Sequence, residues 1–235
     1  MLQRVTTLLA LAFAWGAFAL AGQVDTRPGI AVFPFENGGS YGPDAEDLGP
    51  LGVGLQQMLL TELQQHNGLR IVERSEIARI LDELDLSETD RMDAATAARV
   101  GELVGARYAI AGSFTDWYGD FRLDARVFSV ETSEILQAEM VQDERANMYR
   151  ILVDMAGEIM ADVDLEPLDG EIREARRARD VPPEAVTLFA RAQVFQDDGN
   201  TDQAIELYQR ITERFPDYTE AQHALDGIRG QTQDR

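Results

Sequence analysis

The chain has 235 residues, 45% of them hydrophobic, and its 42 Asp and Glu residues outnumber 21 basic residues, all arginine, for a net charge of −21. This acidity argues against nucleic acid and anionic lipid as partners, because affinity for a phosphate backbone comes largely from positive side chains. It fits either a solvated surface that keeps the protein soluble or a surface that attracts a basic partner.

Residues 1–22 predict an export signal. Arg4 supplies a positive start, residues 8–20 are apolar, and small residues precede a cleavage site at Ala21 and Gly22. An uncleaved membrane anchor is the alternative, but spanning a bilayer takes roughly 20 apolar residues and this run is shorter. We therefore expect a periplasmic protein, associated with the outer membrane only through partners.

Hydrophobic periodicity predicts an α/β domain over residues 23–165. Its centre is a strand that is apolar on both faces, followed by a strand in which apolar and charged residues alternate. Together the predicted strands and helices form a mixed sheet of about five strands packed with helices. In chain order the predicted elements are a strand at 30–35 that lies at an edge or ends at Pro34, a loop at 36–50, a helix at 51–65, a strand at 69–72, helices capped by Ser75 and Asp93, strands at 108–114 and 121–127, a turn at 131–133, a strand through Ile135 and a helix at 145–163.

Three segments of this domain resemble the CsgG family of curli-secretion proteins: IVER at 71–74, ARYAIAGSF at 106–114 and VETSEIL at 130–136. The resemblance implies an anticodon-binding-like α/β fold and a role in secretion or curli assembly. It also implies self-association, since channel members of that family build rings with this domain.

Two departures from the family change that expectation. Channel members carry membrane hairpins, whose strands need about 9–11 residues each, but here Tyr118 and Gly119 alone fill the first site and residues 141–148 the second. Lipoprotein members carry an acylated cysteine where this chain has Gln23 after Gly22. We expect the soluble domain of the family, without a pore or a lipid anchor.

Residues 166–183 predict a charged linker helix, with four arginines between 173 and 179. The cluster is either a solvated surface or a docking patch for an acidic partner.

Residues 184–230 predict a small all-α module that resembles the tetratricopeptide repeat. Its signature residues are Ala192, Phe195, Gly199, Ala204, Tyr208 and Pro216. One and a half repeats cannot bury their own face, so the module should pack on the α/β domain, on the linker helix or on another copy. If it binds a peptide, we expect the inner surface of its first helix to do so, and otherwise that surface is inert. This surface consists of Val186, Phe189, Gln193 and Gln196.

Catalytic and ligand motifs are not found. The chain has no cysteine and no lysine, and His66 and His223 stand apart from other metal-ligating residues. We expect no enzyme activity, cofactor or metal. The remaining candidate is aromatic: Trp117, Tyr118 and Phe121 at a hairpin tip form either a minicore under the turn or a contact surface.

The sequence thus predicts an exported, non-enzymatic adaptor or assembly factor that recognises a protein partner in the cell envelope and self-associates. Two alternatives stay open. One is a component of an oligomeric secretion ring at the outer membrane, and the other is a regulator of peptidoglycan synthases.

Overall fold

A computed structural model of the protein describes residues 25–43, 45–86, 92–163, 165 and 168–233. Within these ranges six strands and eight α-helices form an α/β fold, as predicted. The predicted signal segment and its cleavage site lie outside the described residues. The elements are β1 Gly29–Val32, β2 Glu36–Tyr41, α1 Leu51–Leu63, β3 Arg70–Ile71, α2 Arg74–Glu83, α3 Ala94–Leu103, β4 Tyr108–Trp117, β5 Asp120–Ser129, β6 Ile135–Glu144, α4 Met148–Asp162, α5 Gly170–Arg177, α6 Pro183–Asp197, α7 Thr201–Arg214 and α8 Thr219–Gln233.

The strands form one mixed sheet with β4 at its centre. The order across the sheet is β3-β1-β4-β5-β6, and β2 follows β1 along the same edge of β4. β1 is parallel to β3 and β4, β2 is parallel to β4, and the three long strands β4, β5 and β6 are antiparallel. Most of β4 is buried, so the prediction of a central strand is confirmed.

The predicted loop at 36–50 is wrong in its first part, which forms β2. Asn and Gly give this segment a poor strand propensity. Pairing with β4, which places Tyr41 opposite Trp117, overrides that propensity. An irregularity between Asn37 and Ser40 accommodates the two glycines between them.

β6 is longer than predicted. The first half of the expected connection at 141–148 is strand, since Glu144 still pairs with Asp120, and only the 3₁₀ turn Arg145–Asn147 precedes α4. β6 is an edge strand whose side chains are largely exposed, so it carries no apolar alternation by which to recognise it.

One of the two predicted helix caps is confirmed. The Asp93 carboxylate accepts a hydrogen bond from the backbone N–H of Thr96 at 2.8 Å and caps α3. Ser75 is not a cap, because α2 already begins at Arg74 and Glu73 occupies the N-cap position.

Apolar side chains fill both faces of the sheet. The smaller cluster lies under α2 and α3, and the larger one joins β5 to α1, α4 and the C-terminal helices. The C-terminal helices therefore share a core with the sheet, which is one of the packing arrangements expected. The inward residues of β5 are buried as their alternation predicts: Phe121, Leu123, Ala125 and Val127.

α1 and α6 approach each other closely at a glycine. A Cβ atom added to Gly54 would lie 2.4 Å from the Cβ of Ala190, so only glycine fits at this position. This contact sets the position of α6 against the α/β domain. In the described part of the chain, no helix combines the length and apolarity that crossing a bilayer requires.

Candidate protein-binding groove

A groove of about 900 Å³ lies between the α/β domain and the C-terminal helices. One wall is formed by α1 and α2, and the other by α6, α8 and the turn that joins α6 to α7. Gly199 makes this turn with a φ of 76°, a left-handed conformation that glycine adopts without strain. The groove exists only because the helical module packs on the α/β domain.

Three of the four residues predicted to bind a peptide line this groove. Phe189, Gln193 and Gln196 lie along it, about one helical turn apart on α6. Val186 does not line the groove, because it is fully buried in the large core. Phe189 and Gln193 are only 2% and 5% exposed, so the inner surface predicted from the repeat pattern is open mainly at Gln196.

A polar network ties the two walls together. Gln193 accepts a hydrogen bond from Nη2 of Arg74 at 2.6 Å and donates one to the Tyr208 hydroxyl at 2.8 Å. The Tyr208 hydroxyl donates in turn to Gln196 at 3.0 Å. Burial raises the pKa of Tyr208, so its hydroxyl stays protonated and remains a donor. Nη1 of Arg74 pairs with Asp197.

Carboxylates outnumber basic groups along the groove. Four of them, Glu73, Asp197, Asp202 and Glu220, line it together with the guanidinium of Arg74. Burial acts to raise the pKa of Glu220, but hydrogen bonds and charge from Arg179 outweigh it, and this pKa is lowered. Glu220 is therefore ionised at neutral pH.

Arginines of the predicted linker are bound within the protein. Arg176 pairs with Glu62, whose side chain is 3% exposed, and Arg179 donates two hydrogen bonds to Glu220 at 2.6 and 2.7 Å. Arg179 also donates to the Tyr149 hydroxyl at 2.8 Å. We call these five residues the arginine clamp: Glu62, Tyr149, Arg176, Arg179 and Glu220. They come from α1, α4, α5, the segment after α5, and α8.

The clamp takes up only part of the arginine cluster. Besides the two clamp arginines, Arg177 pairs with Asp154 at 2.9 Å, so three of the four arginines bind the chain's own carboxylates. Arg176 and Arg179 are partly buried in the clamp, whereas Arg173 and Arg177 lie exposed on α5, which has no buried residue, so the interpretation as a solvated surface holds for these two. The partner Glu62 is 114 residues from Arg176 in sequence, and no local pattern reveals such a pair.

The predicted aromatic cluster divides between core and surface. Phe121 is fully buried and stacks on Phe114, whereas Trp117 and Tyr118 are 61% and 70% exposed. Phe121 lies on the inward face of β5, as the alternation along that strand predicts, and belongs to the large core. For Trp117 and Tyr118 the minicore interpretation is wrong, since both side chains lie at the surface.

A third aromatic residue, missed in the sequence, joins the exposed pair. Tyr41 on β2 packs against Trp117 with 4.6 Å between ring centroids. The ring centroids of Tyr118 and Trp117 are 5.8 Å apart. The turn is held by a hydrogen bond from the Gly119 N–H to Asp116 at 3.0 Å. We call Tyr41, Trp117 and Tyr118 the aromatic patch. The sequence does not reveal Tyr41, because the polar segment that carries it predicts a loop rather than β2.

Metal-binding geometry is lacking in the described ranges. No three side chains among His, Cys, Asp and Glu are grouped there so that they could hold an ion. That the protein is not an enzyme and needs no cofactor stays a prediction.

Comparison with known proteins places a family match on the α/β domain. The model of the family described as curli production assembly/transport component CsgG matches residues 17–118. This supports the CsgG resemblance up to the β4–β5 turn. The resemblance beyond that turn and the tetratricopeptide-like repeat stay predictions.

Solved structures show distant similarity. The C-terminal domain of LpoB from Escherichia coli is 18% identical, covers 53% of this chain and 87% of its own, and has a TM-score of 0.40. Lipoprotein GNA1162 from Neisseria meningitidis is 11% identical, with coverages of 57% and 96% and a TM-score of 0.41. The PelC dodecamer from Paraburkholderia phytofirmans is 13% identical, with coverages of 60% and 90% and a TM-score of 0.36. No curated protein matches the chain.

Proposed function

We propose that the protein is an exported, non-enzymatic adaptor or assembly factor of the cell envelope that holds a segment of a partner protein in the groove. The family match supports the envelope and assembly role, since the family is described by assembly and transport. The groove between the two parts of the molecule is the observation that carries the adaptor role. We propose a periplasmic location, with attachment to the outer membrane through partners.

A peptide segment suits the groove in size and chemistry. Its volume of about 900 Å³ is similar to the upper end of ligand pockets, which span about 300–1,000 Å³. Gln57, Gln64 and Gln196 line it with amide groups, which both donate and accept hydrogen bonds, as a peptide backbone requires. Ala78 and Ala224, also in the lining, leave room for the side chains of the segment.

A second candidate function is a subunit of an oligomeric ring, and the exposed surface of the sheet favours it. The aromatic patch lies at one end of the sheet, and the edge strand β6 exposes Ile135, Leu136 and Met140. An edge strand with exposed apolar side chains is a template for pairing with another chain. Light scattering on the purified protein tests this candidate, because a ring gives a multiple of the monomer mass and a lone monomer contradicts it.

A substitution that fills the groove tests the adaptor function. Gly227 lies on α8 in the groove lining, and an added Cβ there meets no atom within 4 Å, so Gly227→Trp should fold and fill the groove. Gly170→Trp, at an exposed glycine with equal space on α5, is the matched control.

The measurement is quantitative affinity capture from the envelope fraction with three baits: wild type, Gly227→Trp and Gly170→Trp. We expect proteins that the wild type and Gly170→Trp enrich equally and Gly227→Trp does not. If all three baits enrich the same proteins to the same extent, the groove is not the binding site. Circular dichroism of each bait checks the fold.

A further inference from the structure

Two carboxylates of the groove are without a basic partner. Glu73 at the start of α2 and Asp202 at the start of α7 line the groove, and both are exposed. No arginine of the described residues forms an ion pair with either. They lie on opposite sides, since α2 belongs to one wall and α7 begins at the turn of the other.

The other two carboxylates of the groove are already balanced. Asp197 pairs with Arg74, and Glu220 pairs with Arg179 of the clamp. The charge that the groove offers to a ligand is therefore negative. A chain with a net charge of −21 adds to this field rather than cancelling it.

Arg74 contributes a second, independent feature. It is 8% exposed and lines the groove, and its Nε is buried without a hydrogen-bond partner. Its two Nη atoms are already bound by Asp197 and Gln193. Arg74 therefore offers no free cation to an acidic ligand of the groove.

Resting on the function proposed above, we propose that the segment bound in the groove is basic and extended. Its arginine or lysine side chains pair with Glu73 on one wall and Asp202 on the other. An acidic segment is disfavoured, because the one guanidinium of the lining is occupied and the two unpaired charges are negative.

Selection from a random peptide library displayed on phage tests this inference without knowledge of the natural partner. Binders are selected on the full chain and counter-selected on Gly227→Trp, so that peptides which bind elsewhere are removed. We expect the remaining peptides to be enriched in arginine and lysine relative to the starting library. Enrichment in acidic or purely apolar residues would overturn the inference.

Neutralising the two carboxylates gives the decisive measurement. The double variant Glu73→Gln, Asp202→Asn should bind the selected peptides about three- to thirtyfold more weakly, since exposed ion pairs each contribute a modest amount. Glu102→Gln with Glu213→Gln removes the same charge at exposed sites outside the groove lining and should bind as wild type does. Wild-type binding should also weaken as salt rises from about 50 to about 500 mM.

The outcomes separate the inference from the proposed function. If no peptide discriminates wild type from Gly227→Trp, the groove binds no segment and both fail. If peptides discriminate but bind the neutralised variant as well as wild type, the groove is a binding site and the basic character of its ligand is wrong. Equal loss in the control pair would also count against a specific role of Glu73 and Asp202.

Discussion

The two sides of the large core are held in different ways. On the sheet side, β5 and α4 present apolar residues such as Phe121 and Leu152, both fully buried. On the C-terminal side, the apolar face of α6 is joined by the arginine clamp, in which Arg176 and Arg179 bind carboxylates. Apolar burial is indifferent to pH, whereas ion pairs respond to pH and salt. The attachment of the C-terminal helices is therefore the charge-sensitive part of the fold.

Truncation of the buried hairpin aromatic should have the largest effect. Phe121→Ala leaves a cavity beside Phe114 and should lower the free energy of unfolding by about 3–5 kcal/mol. Trp117→Ala, four residues away and 61% exposed, should change it by less than about 0.5 kcal/mol. Urea unfolding followed by circular dichroism measures both. Similar losses in the two variants would contradict the division of the cluster into core and surface.

Removal of the buried negative charge of Glu62 in the clamp should have the second largest effect on stability. Glu62→Gln removes the nearer counter-charge of Arg176, which is 18% exposed, and leaves only Glu220 at 3.6 Å, so it should cost about 2–3 kcal/mol in the free energy of unfolding. Limited proteolysis should then cut the segment around α5 faster. Glu83→Gln breaks an exposed pair with Arg79 and should cost less than about 0.5 kcal/mol. A loss no larger than that of the control would show that the clamp adds no stability.

The pH dependence of the clamp provides a third test. Because the folded state lowers the pKa of Glu220 below its ordinary 4.5, this residue stabilises the fold above that pH, and the contribution is lost as the pH falls through the folded-state pKa. Glu220→Gln should therefore cost about 1–2 kcal/mol at neutral pH and progressively less below about pH 4. Urea unfolding of both proteins across this range measures the difference. A difference that stays constant with pH would exclude the charge of Glu220 as its source.

The same contrast explains which parts of the fold could be predicted. Buried elements with a clear period, such as β4, β5, α1 and α4, can be recognised in the sequence because their apolar residues repeat with the spacing of the structure they form. The strands missed or shortened, β2 and the end of β6, are polar, and pairing along the sheet rather than periodicity holds them in place.

The groove could be predicted in part. The stripe of Phe189, Gln193 and Gln196 follows from the helical repeat pattern on α6. Its opposite wall does not, because α2 and Arg74 lie more than 100 residues earlier in sequence. Long-range ion pairs such as that of Arg74 with Asp197 depend on how two distant elements pack. No local pattern in a single sequence predicts that packing.

The smallest effect concerns a carboxyl group at the end of α4. Burial, with the nearby charges of Glu139 and Glu158, raises the pKa of Asp162 from 3.8 to about 6, and its Oδ2 is buried without a hydrogen-bond partner. Between these two values the folded state binds the proton more tightly than the unfolded state, so this group lowers the free energy of unfolding as pH rises. The variant Asp162→Asn lacks the ionisable group and therefore lacks this decline. Its free energy of unfolding should rise relative to that of wild type between about pH 4 and about pH 7. Asp226→Asn, at an exposed carboxylate of α8, is the matched control. Urea unfolding at both pH values decides the matter, because parallel behaviour of wild type and Asp162→Asn would mean that Asp162 ionises as freely in the folded protein as in the unfolded chain.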